Sequence, residues 1–382
     1  MKAIRAGGPV RAAHAALLFV LAAALATQPA IAASRAAAQA AKSAGLPARL
    51  SDAEFWKLAT EISEPGGYFR ITDNYTSNER EVGTMFTLLR ETGVRGGVYL
   101  GVGPEQNFSY IAAIRPAMAF IVDIRRQAVM QHLMFKAVFE LSKDRADFIA
   151  LLFARARPAG LDASASIQKI WDDFWGASTD PATWDKSQAR VMDHLTRTHG
   201  FALTPEEVSQ LEGVIQAFYR LGPSITTRGA PAGRGGNGLT FADLTGYSYD
   251  IAGHPQSFLV SEDHFRYVKS LHEKNLIVPV SGDFGGPKAI RAIAAYLQGR
   301  GATVSAFYVS NVEQYLFQDG KHRAFYDNVA QLPVTETSVF IRPYSLRRGG
   351  GATQSLCAIP KFLAAVQAGQ IYTNNDALAC VR

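Results

Sequence analysis

The sequence predicts an α/β protein with a Rossmann-like, doubly wound and mostly parallel sheet of about six or seven strands, interrupted by a helical insertion. Short apolar runs alternate with helical patterns in two parts of the chain, which is typical of a parallel sheet covered by helices. A run of purely helical patterns separates the two parts. Hydrophobic residues make up 48% of the chain and charged residues 19%, the composition of a folded globular protein.

The N-terminal segment has the layout of a secretory signal peptide. Basic residues precede an apolar run at residues 15–26, and Ala30 and Ala32 occupy the −3 and −1 positions of an A-x-A cleavage site. We therefore expect residues 1–32 to be removed after Ala32 and the protein to be exported, to the periplasm or out of the cell. The apolar run is too short to span a bilayer comfortably, so no stable membrane anchor is expected after cleavage.

The charge of the mature chain indicates that nucleic acid is not a partner. The full chain carries a formal net charge of +6, and cleavage removes three basic and no acidic residues, which leaves +3. Domains that bind nucleic acid are usually far more basic. We expect a small-molecule ligand instead, and the sequence does not determine the oligomeric state.

An Ala-rich arm at residues 33–50 precedes the folded domain, which is predicted at residues 51–345. Ser51 and Glu54 predict a capping box at the start of the first helix. A second helix follows at residues 79–93, and then the alternation begins. Its first half predicts strands at residues 97–102 and 119–124, with helices at residues 105–114 and 126–141.

The helical insertion covers about residues 143–225 and is followed by a glycine-rich loop at residues 226–240. Four further strands are then predicted, at residues 256–261, 276–284, 303–310 and 337–344. Residues 346–382 are interpreted as a C-terminal tail. Its two cysteines, Cys357 and Cys380, predict a disulfide in an exported protein, and two unpaired thiols are the alternative.

The turn after the first strand, GVGPEQN, is a candidate ligand site. Gly101 and Gly103 allow a tight bend and a close approach of a ligand to the backbone. Gln106 stands where a diphosphate-binding loop has its third glycine, and Glu105 adds a negative charge, so NAD and ATP are disfavoured. Glu105 and Gln106 suit a ligand with a cationic or hydrogen-bond-donating part. The alternative is a plain connection from strand to helix.

The second strand ends on Asp123, which lies 20 residues after Gly103. A carboxylate at this place can accept hydrogen bonds from ribose hydroxyls, and the alternative is that Asp123 caps the next helix. Together the turn and this carboxylate favour an adenosine-containing ligand. Arg125, directly after the strand, is assigned to the same cofactor site.

Two later turns are predicted to meet the first one, because folds of this class bind ligands beyond the carboxyl ends of the strands. Asp283 and Glu313 are the candidate catalytic carboxylates, and Asn311 and Tyr315 are the candidate substrate-binding residues. Asp123, Asp283 and Glu313 could also form an acidic cluster that holds a metal or serves a hydrolase. We nevertheless expect no metal, and the eight histidines are dispersed outside any metal-ligand motif.

Three blocks of the sequence resemble an uncharacterised bacterial family of methyltransferase-like proteins: GVYLGVGPEQNFSYIAAIRPAMAFIVDIRRQ, LIVPVSGDFGGPKAIRAI and AFYVSNVEQYLF. That family is similar to class I S-adenosylmethionine-dependent methyltransferases. The resemblance covers most of residues 51–344 and implies a Rossmann-like fold with S-adenosylmethionine as cofactor. It implies that Gly101 and Gly103 line the donor, that Asp123 holds its ribose, and that a methyl group passes to an unknown acceptor. The alternative is a non-catalytic exported protein that binds a small molecule on the same scaffold.

Overall fold

The computed structural model describes the backbone of residues 45–71, 73–79, 82–229, 239–345 and 352–379. The predicted signal peptide, most of the Ala-rich arm, much of the glycine-rich loop and Cys380 lie outside the described residues, so the predictions made for them stay predictions. Within the described part of the chain, no helix is long and apolar enough to cross a membrane.

A six-stranded sheet lies at the centre of the described chain and confirms the predicted α/β fold. The strands are β1 Val98–Gly101, β2 Met118–Asp123, β3 Ile277–Ser281, β4 Val304–Tyr308, β5 Val334–Ser345 and β6 Ala352–Ala358. Their order is β3-β2-β1-β4-β5-β6, which is the Rossmann order. The first five strands are parallel, and β6 pairs antiparallel with β5.

Helices cover both faces of this sheet. The first eight are α1 Asp52–Ile62, α2 Val82–Thr92, α3 Gln106–Ile114, α4 Arg126–Leu141, α5 Arg145–Leu152, α6 Ile167–Trp175, α7 Pro181–Asp193 and α8 Pro205–Leu221. The others are α9 Phe241–Gly246, α10 Glu262–Glu273, α11 Ala289–Gln298, α12 Val312–Gln318, α13 His322–Val329, α14 Ile359–Gln367 and α15 Asn374–Ala379. A π-helical turn, His194–Thr198, continues α7.

The local sequence explains why these elements form. Every residue of β1, β2 and β3 is buried, so these strands are near-continuous apolar runs rather than alternating ones. The predicted capping box is confirmed at α1, where the side chains and backbone amides of Ser51 and Glu54 bond reciprocally. Thr204 and Glu207 form the same arrangement at the start of α8, with Pro205 in the first helical position.

The helical insertion, α5 to α8, packs against α4. Phe135 of α4 meets Phe218 of α8 edge to face, with ring centroids 5.7 Å apart. Phe218 in turn contacts Phe153 and Phe241, so the insertion shares one apolar core with the sheet domain. The insertion therefore extends the α/β core on the side of α4.

The prediction of a strand at residues 256–261 is wrong, because this segment is an irregular turn ahead of α10. Its apolar side chains are buried all the same: Phe258 packs edge to face on Phe108 and Phe148. The Ser257 hydroxyl donates to the carbonyl of Thr245 and ties the turn to α9. A short apolar run can thus be buried in a turn, and its pattern does not distinguish the two outcomes.

The segment predicted as a C-terminal tail completes the fold. It contains β6 as the antiparallel edge strand, followed by α14 and α15. Phe362 of α14 packs on Tyr326 and Phe340, with ring centroids 5.1 and 5.7 Å away. Cys357 is buried on β6. Its expected partner lies outside the described residues, so the disulfide stays a prediction.

The strand order determines where a ligand site can lie. β1 pairs with β2 on one side and with β4 on the other, so the order of the strands reverses beside β1. In open α/β sheets a crevice forms at such a point, outside the carboxyl ends of the strands. The turns that follow β1, β2, β3 and β4 all contribute residues to one cavity at this edge.

Candidate functional site

A cavity of about 220 Å³ opens at the carboxyl edge of the sheet. Its volume lies somewhat below the roughly 300–1,000 Å³ of typical small-molecule pockets, so it suits a ligand of nucleoside size better than a dinucleotide. Six of the predicted site residues line it: Gly103, Asp123, Arg125, Asp283, Asn311 and Tyr315. Four predicted site residues are not among its lining residues: Gly101, Glu105, Gln106 and Glu313.

Gly103 lines the cavity with its backbone. Its φ is +75°, and a Cβ built there meets nothing closer than Asn74 Nδ2 at 3.9 Å, so the turn is open toward the cavity. From behind, the Gly103 carbonyl accepts from Asn107 Nδ2 at 3.0 Å and lies 2.9 Å from His132 Nε2. Asn107 Nδ2 also bonds the carbonyls of Val102 and Pro104. The turn is therefore held rigidly without using its open side.

Gly101 has a different role from the predicted one. A Cβ at this position would overlap Asn107 Oδ1 and lie 2.8 Å from Tyr99 Cε1. Tyr99 donates its hydroxyl to the same Asn107 oxygen at 2.9 Å. The missing side chain thus makes room for the asparagine that holds the turn, and Gly101 acts on the site only through Asn107.

Glu105 and Gln106 point away from the cavity. The Glu105 carboxylate accepts from the backbone N–H of Ser77 at 3.1 and 3.2 Å, and Gln106 bonds the hydroxyls of Ser77 and Tyr110. Both side chains therefore hold the segment between α1 and α2, which forms a wall of the cavity. Burial raises the pKa of Glu105 to about 7, although the hydrogen bond from Ser77 lowers it.

Asp123 lies on the cavity wall together with Arg125. The Asp123 carboxylate accepts from the backbone N–H of Arg125 at 2.9 Å and from its guanidinium at 3.1 and 2.9 Å. Both side chains are about nine-tenths buried. The charge of Asp123 is thus balanced. Its Oδ1 accepts two of these bonds and its Oδ2 only one, so Oδ2 can accept a further bond from a ligand hydroxyl.

Asp283 also lines the cavity and is paired. One carboxylate oxygen accepts from Gly285 N at 2.9 Å, and the other lies 2.8 Å from Lys321 Nζ. The glycine turn beside it, at Gly285 and Gly286, is occupied by Glu64. The Glu64 carboxylate accepts from the backbone N–H of Lys288 and Ala289 at 2.9 and 2.8 Å. No local pattern marks Glu64, because its partners lie more than 200 residues away along the chain.

Glu313, the second predicted catalytic carboxylate, is a structural residue. It is 2% exposed and forms a two-bond ion pair with Arg342, at 2.7 and 2.8 Å. The hydroxyl of Tyr326 donates to it at 2.9 Å. Glu313 therefore ties α12 to β5 and α13, and it does not join Asp123 and Asp283 in the predicted acidic cluster.

Asn311 and Tyr315 lie on the cavity wall after β4, as predicted. The Tyr315 ring meets Phe69 edge to face at 4.9 Å, and the Arg70 guanidinium lies 4.7 Å from its centre. Ser310, just before Asn311, has a φ of +46° and donates to Glu79 at 2.6 Å. These contacts join the turn after β4 to the segment between α1 and α2.

Sequence reasoning missed the wall that this segment supplies. It contributes apolar and aromatic side chains and side-chain amides or hydroxyls, namely Tyr68, Phe69, Ile71, Asn74, Ser77 and Asn78. The segment follows a helix rather than a strand, so the rule that selects the ends of strands does not reach it. Tyr68 is 83% exposed at the rim, and its position before a polar, turn-rich stretch was the only available signal.

Among the residues that the structure describes, the charges that line the cavity balance. Three are acidic and three are basic: Asp123, Asp283, Asp319, Arg125, Arg228 and Lys321. A diphosphate ligand generally requires a cationic surplus or a glycine-rich loop with free amides. A neutral ligand, or one that carries both a positive and a negative charge, fits this lining better.

An open groove adjoins the cavity. Its volume is about 470 Å³, and it shares Tyr68, Phe69 and Arg125 with the cavity. Its far side is formed by the start of α8, where Glu207 pairs with Arg126 at 2.5 Å. The groove offers a second molecule a place next to a ligand in the cavity.

Comparison with known protein families identifies the family of this chain but indicates no activity. The model of a family described as Domain of unknown function (DUF7790) matches residues 75–205 and 248–358, which is more than half of the chain. The chain belongs to the DUF7790 family. The DUF7790 match includes all of β1 to β6 and the turns after β1 to β4, but not Tyr68 or Arg228. No curated protein matches the chain significantly.

Proposed function

We propose that the protein binds S-adenosylmethionine or a related nucleoside in the cavity at the carboxyl edge of the sheet. One observation carries this proposal. Gly103 and Asp123 both line the cavity, and the cavity lies at the point where the strand order reverses. An open glycine after the first strand and a carboxylate after the second are the groups that a nucleoside needs in this class of fold.

The lining supports this class of ligand. S-adenosylmethionine carries an ammonium, a carboxylate and a sulfonium, and the cavity offers balanced acidic and basic groups rather than a phosphate site. The aromatic side chains of Tyr68, Phe69 and Tyr315 offer apolar surface for a base. Ribose hydroxyls would share Asp123 with Arg125, which makes the arginine part of the proposed ribose site.

Methyl transfer is the reaction we propose for the groove beside the cavity. A methyl acceptor has to lie next to the donor, and the groove meets the cavity at Tyr68, Phe69 and Arg125. The competing function is binding without a reaction. It is favoured by the ion pairs of the two predicted catalytic carboxylates, Asp283 with Lys321 and Glu313 with Arg342, because neither is an unpaired base.

Calorimetric titration of the mature protein with S-adenosylmethionine, S-adenosylhomocysteine and adenosine tests the proposal. We expect saturable binding that weakens at least tenfold in Asp123→Asn, which corresponds to about 1.4 kcal/mol. Asp193→Asn, at an exposed position in α7, is the control and should bind like the wild type. No heat from any of the three compounds at millimolar concentration would refute the proposal.

The reaction is tested separately. Protein with bound donor is mixed with an extract of exported cell material, and transfer of a labelled methyl group is followed. Transfer that stops in Asp123→Asn but continues in Asp193→Asn supports methyl transfer. Binding of the donor without any transfer favours the non-catalytic binding protein. The proposed export also means that the donor must reach the protein outside the cytoplasm, where it is not made.

A further inference from the structure

A cluster of metal-ligating side chains lies far from the cavity. It comprises Glu140, His194 and His199, and we call it the histidine cluster. One ligand atom from each residue lies within 4.8 Å of the other two. Glu140 stands near the end of α4, whose first residue, Arg126, borders the groove. A helix rises 1.5 Å per residue, so about 21 Å separate the cluster from the groove.

The π-helical turn after α7 creates this cluster. In an α-helix, residues five apart point about 140° away from each other. Here the backbone N–H of His199 bonds the carbonyl of His194 at 3.0 Å, which widens the turn and brings the two imidazoles onto one side. Their Nε2 atoms lie 2.8 and 2.6 Å from the same oxygen, Glu140 Oε2. No sequence motif predicts this cluster, because a spacing of five residues fits no α-helical metal motif.

A second layer of side chains orients the ligands. Asp52 Oδ1 lies 2.7 Å from His199 Nδ1, so the Nε2 atom of His199 faces Glu140. Asn275 donates to the same Asp52 oxygen at 2.9 Å. Histidines that bind metals usually donate their other ring N–H to a carboxylate in this way. The cluster is also sheltered, since the side chains of Glu140, His194 and His199 are 7%, 16% and 11% exposed.

Lys136 determines how Glu140 could bind an ion. Its ammonium lies 2.6 Å from Glu140 Oε1 and also bonds the carbonyl of His272 at 2.8 Å. Oε1 is therefore occupied, and only Oε2 faces the histidines, which leaves a single-oxygen ligand. The ammonium opposes a cation electrostatically, so the affinity should be moderate rather than extreme.

We propose that Glu140, His194 and His199 bind a divalent transition metal of the zinc class and thereby fasten the helical insertion to α4. Two imidazoles and one carboxylate form a known ligand set for zinc, with a water as fourth ligand. Tetrahedral ligands about 2.1 Å from the ion lie roughly 3.4 Å apart. Starting from 2.8 and 2.6 Å, the imidazoles of His194 and His199 therefore have to move about 0.6 and about 0.8 Å away from Oε2. The ion replaces the protons now shared in these hydrogen bonds, and His199 keeps its Nδ1 proton toward Asp52.

The experiment uses the mature protein without a polyhistidine tag. The protein is stripped with a chelator and titrated with Zn²⁺ against a chromophoric competitor. We expect one equivalent to bind at micromolar or lower concentration and the thermal midpoint to rise. Cobalt in place of zinc should give the visible absorption of a four-coordinate site. No uptake by the wild type at tens of micromolar Zn²⁺ overturns the proposal and leaves a purely hydrogen-bonded network.

Variants identify the site. His194→Ala and Glu140→Gln should each lower zinc affinity at least a hundredfold, while His254→Ala, at an exposed position, should not. Asp52→Asn should lower the affinity about ten- to a hundredfold through the orientation of His199. Should a cluster variant fail to fold, the cobalt spectrum of the wild type still decides. Unchanged uptake by a folded His194→Ala variant shows zinc elsewhere and refutes the assignment.

Discussion

At the scale of single residues, neighbouring positions in one short turn have different roles. In GVGPEQN, Gly103 faces the cavity, Gly101 makes room for Asn107, and Glu105 holds the neighbouring segment. The residue type alone could not separate these roles. Each depends on a partner that only the folded chain brings close.

Glu105 should make the stability of the protein depend on pH. Its pKa rises from 4.5 in the unfolded chain to about 7 in the fold, because the carboxylate is buried. Between these values the folded state binds the proton more tightly, so stability is lost as the pH rises from about 4.5 to about 7. The loss is on the order of 3 kcal/mol.

Urea unfolding at pH 5 and pH 8 measures this effect. Glu105→Gln should show a smaller fall in the free energy of unfolding than the wild type, because glutamine carries no proton equilibrium. Glu61→Gln, at an exposed position of α1, should follow the wild-type profile. Parallel profiles for the wild type and Glu105→Gln would contradict the pKa of the buried carboxylate.

Gly101→Ala should destabilise the fold by about 1–3 kcal/mol, because its Cβ overlaps Asn107 and crowds Tyr99. Gly213→Ala is the matched control. Gly213 lies within α8 and has nothing within 4 Å of its Cβ position, so this change should stabilise the protein by up to about 1 kcal/mol. Thermal unfolding of the two variants compares them directly. Equal midpoints would show that Gly101 is not required for packing.

At the scale of elements, a buried ion pair joins the helix α12 to the strand β5. Arg342 of β5 is fully buried and pairs with Glu313 of α12. Arg342→Met should cost about 3–5 kcal/mol, because it leaves a buried carboxylate without its partner. The double variant with Glu313→Met should recover much of this loss. Chemical denaturation of the four proteins of the cycle measures the coupling.

Ligand binding provides a second test of the role of the Glu313–Arg342 pair. Glu313 is not among the residues that line the cavity, so folded Glu313→Met/Arg342→Met protein should bind the cavity ligand as the wild type does. If the double variant loses ligand binding while its stability is unchanged, this result would support the catalytic role that the sequence predicted for Glu313.

The elements also show how far the sequence could predict the structure. Alternating apolar runs and helices predicted the α/β sheet because buried parallel strands carry a strong local signal. β6, TQSLC between alanines, has seven residues and lacks a continuous apolar run, and it forms because β5 offers it an edge. The end-of-strand rule placed Asp123, Asp283 and Asn311 on the cavity. It could not reveal that Glu64 would occupy the glycine turn, since that contact joins distant parts of the chain.

At the scale of the whole molecule, the mature protein is expected to begin after Ala32 and to carry a Cys357–Cys380 bridge. Intact mass of the exported protein should fit residues 33–382 less two hydrogen atoms, and reduction should restore both. Opening the bridge should cost on the order of 3 kcal/mol for a loop of this length. A mass that includes residues 1–32, or that reduction leaves unchanged, would contradict one of the two predictions.

The helix α4 extends from the groove beside the cavity to the histidine cluster. Its first residue, Arg126, borders the groove beside the cavity, and Glu140, near its end, belongs to the histidine cluster. The helix has 16 residues and is about 24 Å long. Its N-cap residue, Arg125, lines the cavity, so a nucleoside in the cavity and an ion on Glu140 would contact opposite ends of one packed helix. Whatever factor zinc applies to the affinity for the nucleoside, the nucleoside must apply to the affinity for zinc.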